Sequence, residues 1–209
     1  PVIVAGPQVV APDREVDAIV GSVDLFQRFG EMAGVDVRAV VPREHVLDSL
    51  FGFAESLGVR ERSMRWDIPL PESALEYARR AIPDGQPALV LSPCSSHELR
   101  NWSPEGYAAV ADHASTRHGM RVLICGGRSA LELEYGRRIE SLAQQTCVNL
   151  VGQDTLVQLL ATLQRATALV SPDAGPVHMA TTVGTPVVGL FAATNPARSS
   201  AATPERIRV

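Results

Sequence analysis

The chain has 209 residues, 45% of them hydrophobic and 20% charged, a composition that supports a packed core, does not indicate disorder and allows one large domain or two small ones. A formal net charge of −4 speaks against a nucleic-acid-binding surface, which carries a basic surplus. No apolar run approaches the roughly 20 residues of a membrane-spanning helix.

The opening, PVIVAGPQVVAPDRE, has no initiator Met and no basic n-region of a signal peptide, and is expected to belong to a chain whose first part is absent. VDAIVGSVDLFQ (16–27) combines a short apolar run with a stretch entering a helix that Gly34 closes. DVRAVV (36–41) predicts a strand ended by Pro42. REHVLDSLFGFAESLGV (43–59) is an amphipathic helix with Val46, Leu47, Leu50, Phe51, Phe53, Ala54 and Leu57 on one broad face and Gly58 as its C′ residue. MRWDIPLPES (64–73) carries two prolines and cannot be a central strand. Ser73 is read as the cap of ALEYARRAI, and residues 60–86 as the connection between two halves.

The second half alternates regularly. PALVLSP (87–93) predicts a buried strand. Residues 103–119 form a helix, with Ser103 as N-cap, Pro104 at N1 and Gly119 at the end. Then follow strand 120–127, helix 129–145, strand 147–152, helix 154–166 capped by Asp154 or Thr155, strand 167–172, helix 175–184 and strand 185–191. Such β-α alternation predicts a parallel sheet covered on both faces, the doubly wound class, whose ligands sit beyond the carboxyl ends of the strands.

Four loops lie there: CSSHELRNW, CGGRS, VGQDT and PDAGPV. In PDAGPV, Gly175 allows a sharp turn and close ligand approach, and Pro176 opens a helix whose first N–H groups form an anion site. His178 reaches the same spot from the first turn, read as a neutral imidazole. Asp173 either caps the helix or accepts hydrogen bonds from sugar hydroxyls. Ser95 and Ser96 offer hydroxyls, and Arg100 a planar fork for phosphate, against the plainer reading of a solvated cation. Trp102 reads as a packing anchor. Gly127 and Arg128 in CGGRS, with Asp154 and Thr155 in VGQDT, complete the candidates. CGGRS is not a G-x-G-x-x-G fingerprint, so a dinucleotide site is set aside. There is no G-x-S-x-G elbow, no H-E-x-x-H and no Cys-His cluster, so no metal is assigned. Cys94, Cys125 and Cys147 lack ligand spacing and read as idle thiols.

The segments LSPCSSHELRNWSPEGYAAVADH, VLICGG and NLVGQDTLVQLLATLQRATALVSPDAGPVHMATTVGTPVVGLFAATNPARS resemble the family 9 glycosyltransferases, the ADP-heptose:lipopolysaccharide heptosyltransferases, over about residues 87 to 200. The resemblance implies a GT-B architecture of two Rossmann-like doubly wound domains. Residues 1–82 would be the incomplete amino-terminal, acceptor-side domain plus linker, and 83–209 the nucleotide-sugar donor domain. It implies inverting, metal-independent transfer of a sugar, heptose foremost, from a nucleotide-sugar such as ADP-heptose to a lipopolysaccharide-core or other cell-envelope acceptor. The setting would be the cytoplasm, at the inner membrane face, with no separate cofactor and no nucleic acid. Ser95 and Ser96 fall on the family's hydroxyl positions at the donor phosphates, and Arg100 on its phosphate-binding lysine. Asp173, Ala174, Gly175 and His178 fall on its D-(s/t)-G-x-x-H loop. Three departures stand out: Arg100 replaces Lys, Ala174 replaces Ser/Thr, and the glycine-rich loop with the family's catalytic aspartate has no counterpart. The catalytic base is therefore not assigned. Two alternatives remain at this stage, a non-catalytic nucleotide-sugar-binding protein and a sugar-nucleotide epimerase of similar fold.

Overall fold

A computed structural model of the chain describes residues 54–55, 57–61 and 66–192, together with the backbone of a strand at Ile207–Arg208. The chain divides into two compact units, Pro1–Ser63 and Met64–Val209. Most elements expected in the first unit, residues 16–53, lie outside the described residues. The end of its helix is described. The Gly58 and Val59 N–H groups bond back to the Glu55 and Ala54 carbonyls at 2.9 and 3.0 Å, with Gly58 at φ 92. That is the Schellman ending that the glycine predicts.

The second unit opens with helix α1 (Glu72–Ala81), then strand β1 (Ala88–Leu91), a short 3₁₀ turn (Glu98–Arg100), and α2 (Pro104–His118). It continues with β2 (Arg121–Ile124), α3 (Ala130–Leu142), β3 (Cys147–Asn149) and α4 (Leu156–Arg165). The last described elements are β4 (Ala168–Pro172), α5 (Gly175–Thr182), β5 (Val187–Leu190) and β6 (Ile207–Arg208). The strands pair in parallel in the order β3-β2-β1-β4-β5-β6. The chain winds outward from β1 to β3 and then returns to β4 on the other side of β1. This reversal defines a switch point, where neighbouring loops part and leave a crevice.

Alternation along the strands sorts side chains into two cores. Val90, Leu123, Cys125, Leu169 and Val187 face one side, where Ile82, Leu159, Leu163, Val177 and Ala180 from α1, α4 and α5 cover them. Leu89, Leu91, Val122, Ile124 and Val170 face the other, against Tyr107, Ala111, Ala114 and Ile139 of α2 and α3. Every residue of β1 is buried, as a central parallel strand requires. All three cysteines are free and buried.

Local chemistry sets the helix starts. The Ser103 hydroxyl accepts from the Gly106 N–H at α2, as the sequence predicts. At α4, Thr155 and Gln158 form a reciprocal capping box, so the cap is Thr155 and not Asp154. At α1 the expectation fails. Pro71, with φ −67, begins the helix earlier, its carbonyl accepts from Ala74 and Leu75, and Ser73 falls inside the first turn.

α1 was expected in the connection between halves, with the donor domain starting at residue 83. It instead docks on α4 through the small residues Ala74, Ala78 and Ala161. Arg165 fastens its end, donating from Nε to the Ile82 carbonyl at 2.9 Å and pairing with Asp84 at 2.6 Å. The compact unit accordingly begins at Met64.

α3 approaches β3 through buried Gly136. A Cβ there would stand 2.8 Å from Val151 Cγ2 and 3.0 Å from Asn149 Oδ1. Gly136→Ala is expected to cost about 1–2 kcal/mol, because overpacking outweighs the gain in helix propensity. The thermal midpoint should then fall by about 2–8 °C, and an unchanged or raised midpoint in calorimetry would show that the interface yields.

Candidate functional site

The strand register brings four loops to one edge. Leu91 pairs with Ile124 on one side and with Val170 on the other, and Ile124 pairs with Asn149. Ladder bonds continue beyond the strands: Ser92 N–H to Val170 O at 3.0 Å, Cys125 N–H to Leu91 O at 2.8 Å and Gly152 N–H to Gly126 O at 2.9 Å. Above this edge lies a cavity of about 970 Å³. Ser95, Ser96, Arg100, Gly127, Arg128 and Asp154 all line it. So do Thr155, Asp173, Ala174, Gly175 and His178. The candidates named from sequence therefore share one crevice, although the side chains within it differ in what they can offer.

Arg100 and Asp173 face each other across the switch point, with 3.9 Å between Nη1 and Oδ2. The 3₁₀ turn after β1 presents Arg100, and the end of β4 presents Asp173. The Asp173 side chain is 11% exposed and that of Arg100 35%, so the guanidinium remains open to the cavity. Asp173 does not cap α5: the N-cap is Ala174, which makes no side-chain cap bond. The Val177 N–H turns back to the Ala174 carbonyl at 3.1 Å and Pro176 has no N–H, so within the helix itself the Gly175 amide is the one left without a partner among the described residues. This is narrower than the row of outward amides expected from sequence. Gly175 has no positive φ, and a Cβ on it would meet nothing within 4 Å. The turn therefore does not need glycine, and the missing side chain leaves open cavity beside that amide. His178, one turn into α5, is exposed.

Ser95 is held within its own loop. Its hydroxyl donates to the His97 carbonyl at 3.0 Å and accepts the His97 N–H at 3.2 Å, while its own N–H bonds Asn101 Oδ1 at 2.7 Å. It shapes the loop that presents Arg100, and the exposed Ser96 keeps its hydroxyl free. The Thr155 hydroxyl is likewise engaged, in the α4 cap.

The sequence matches the family model for glycosyltransferase family 9 (heptosyltransferase) over residues 27–209. The chain belongs to glycosyltransferase family 9. It is 38% identical to the lipopolysaccharide core heptosyltransferase OpsX of Haemophilus influenzae over 156 residues, covering 75% of this chain and 45% of that protein. It is 26% identical over 155 residues to lipopolysaccharide heptosyltransferase 3 of Escherichia coli, covering 72% of this chain and 45% of that one. The chain thus spans about half the length of the curated relatives it matches. The fold agrees with a family 9 glycosyltransferase from Veillonella parvula, with a TM-score of 0.71 at 23% identity over 80% of this chain and 49% of that chain. It also agrees with the ADP-heptose LPS heptosyltransferase II of E. coli, with a TM-score of 0.60 at 22% identity over 68% and 44%. These likenesses identify the described sheet as part of a GT-B fold.

Within this family 9 chain, two cavity features were not predicted. Glu132, in the first turn of α3, accepts the Gly127 N–H at 2.7 Å and the Ser129 hydroxyl at 2.6 Å, which pins the loop after β2. The S-x-x-E spacing of Ser129 and Glu132 was the available signal, because it marks a capping box. Cys94 lines the cavity too, and burial, reinforced by the Glu132 charge, pushes its thiol up to about 12. Burial thus disfavours the thiolate that a nucleophile needs. Among the described residues no cluster of His, Cys, Asp and Glu is placed to hold a metal ion.

Asp154, displaced from the cap by Thr155, has a buried Oδ2 with no hydrogen-bond partner. Burial raises its carboxyl from the ordinary 3.8 to about 6, against a smaller lowering by its own backbone N–H. The same charge, after burial, raises the Tyr77 phenol on α1. Below 3.8 the carboxyl is neutral in both folded and unfolded states. As pH rises towards 6 the unfolded chain loses its proton first, so the folded state is penalised. Asp154→Asn should therefore stabilise at pH 8, by about 1 kcal/mol after allowance for solvent screening at a half-buried site, and should change little at pH 4. Urea unfolding at the two pH values checks this, and a gain of equal size at both would show that charge is not the cause.

Proposed function

We propose that this chain supplies the donor side of an inverting glycosyltransferase, which moves heptose from a nucleotide-sugar to a lipopolysaccharide-core acceptor. The single observation that carries the reading is the pairing of Arg100 with Asp173 beside the free Gly175 amide, at the sheet's switch point. In family 9 these residues fall on the phosphate-binding cation and the D-(s/t)-G-x-x-H loop. A heptosyltransferase of E. coli, WaaC, of the same fold has been solved with ADP, with a TM-score of 0.62 at 18% identity. That complex supports a nucleoside diphosphate as the common part of the donor, with ADP-heptose the leading candidate.

Transfer with inversion is one displacement. The acceptor oxygen attacks the sugar C1, its proton passes to a carboxylate base, and the nucleoside diphosphate leaves with the bonding electrons. The leaving diphosphate gathers negative charge, and groups already aimed at it lower the barrier. Arg100 offers two parallel N–H donors, Ser96 a hydroxyl and Gly175 its amide, assisted by the dipole of α5. Asp173, held against Arg100, would repel phosphate but suits sugar hydroxyls, which sets the sugar on the Asp173 side of the guanidinium. His178 would add a further hydrogen bond to the same end. None of the described cavity carboxylates is assigned as the base, which the acceptor side would supply. No helix among the described residues is long and apolar enough to cross a membrane. A glycolipid acceptor would place the enzyme at the inner membrane face.

Thermal-shift and calorimetric titrations against ADP-, GDP- and UDP-sugars test the donor site. Arg100→Ala should weaken binding of the preferred donor about tenfold or more, the cost of a lost charge-assisted hydrogen bond. His178→Ala should weaken it less. If both variants bind the donor as the unaltered chain does, the site is wrong. If donor binds but the full-length gene product never glycosylates an acceptor, the protein is a nucleotide-sugar-binding protein.

A further inference from the structure

The cavity extends well beyond Arg100 and Gly175. It continues along the sheet edge to the loops after β2 and β3, where Gly127, Arg128, Glu132, Asp154 and Leu156 line it. Strands lie about 4.8 Å apart, so the loop after β2, two strands from β4, is about 10 Å from the α5 start. A donor whose diphosphate sits at Arg100 would direct its nucleoside into this far end.

We propose that the Arg128 guanidinium is the stacking face for the nucleobase of the donor, in the corner between the loop after β2 and the start of α4. The assignment rests on the donor-site reading above. Three features support it. First, Arg128 is held in place rather than free in solvent: its Nε donates to the Gly152 carbonyl at 3.0 Å. Gly152 has φ +75, and a Cβ on it would stand 3.4 Å from Arg128 Cγ, so the arginine stem lies along bare backbone. One edge of the guanidinium is thereby fixed, while its flat face has no ring or carboxylate against it among the described residues. Glu132, which lines the same end, is committed to Gly127 and Ser129.

Second, the same end of the cavity carries an uncovered apolar side chain. Leu156, the first residue of α4, is 74% exposed although it lines the cavity. A flat heterocycle would cover it, and a phosphate would not. Third, the charges around Arg128 disfavour an anion. Asp154 and Glu132 line the same end, and Asp154 carries a buried oxygen without a hydrogen-bond donor. A neutral base with an amino group is compatible with these carboxylates, whereas a second phosphate would be repelled. A planar cation suits the π face of such a ring.

The test is calorimetric titration of the full chain with ADP, UDP and inorganic pyrophosphate. Arg128→Ala should weaken ADP about fivefold to tenfold and UDP less, and leave pyrophosphate within about twofold. Arg128→Lys, which keeps the charge but not the plane, should recover little of the ADP affinity. Because Arg128 is exposed, thermal unfolding of both variants should match that of the unaltered chain. Equal losses for ADP and pyrophosphate would make Arg128 a phosphate ligand and overturn the proposal, as would full ADP affinity in either variant. If Arg100→Ala weakens donor binding while Arg128→Ala does not, this assignment alone fails. If the unaltered chain binds no nucleotide at all, the donor-site reading fails and takes this one with it.

Discussion

The parallel pairing of β1 with both β2 and β4 is the constraint on which the rest of this unit depends. The chain leaves β1 in one direction and returns to it from the other, so the loops after β1 and β4 diverge where the strands end. Backbone ladder bonds run past the strand ends and hold those loops at one level. The crevice follows from that reversal, and the Arg100–Asp173 pair spans it. Without the reversal, two residues so far apart in sequence would have no reason to meet.

The loop side chains divide their work. Some have polar atoms committed to shaping the loops: Ser95 within its own turn, Ser129 and Glu132 in the cap of α3, Thr155 and Gln158 in the cap of α4. Others are left with something to offer: Arg100, Ser96, the Gly175 amide and the planar face of Arg128. Committed groups fix positions and free groups stay open to the cavity, and in the proposed donor complex that division would limit the reorganisation needed when charge develops. Asp154 fits neither class. Its neighbour Thr155 occupies the cap, and its carboxyl is left half-buried, with its pKa raised and one oxygen unpartnered, a local cost located in the cavity wall.

Much of the fold was legible because short-range chemistry and long-range packing agree. The cap at Ser103, a cap at Asp154 or Thr155, the apolar strands and the β-α alternation each follow from residues within a turn or two of one another. Ser73 was misread because Pro71, two positions earlier, sets a helical entry that a hydroxyl does not override. Residues 60–86 read as a connection because prolines and a turn look like a linker in sequence. Only the docking of Ala74 and Ala78 on Ala161 shows that α1 packs with the second compact unit.

The sequence by itself determined the order of elements, the family pattern and the set of residues that could hold an anion. These depend on residue type and near-neighbour spacing, which a linear pattern preserves. Only the tertiary structure decided which of those residues are available. Ser95 and Ser96 are adjacent and chemically identical, yet the backbone path of one loop engages the first hydroxyl and frees the second. Arg128 reads as an exposed arginine until the Gly152 carbonyl, brought beside it by the pairing of β2 with β3, fixes its plane. Hydrogen-bond partners are set by distances between loops, and those distances come into being only once the sheet has formed.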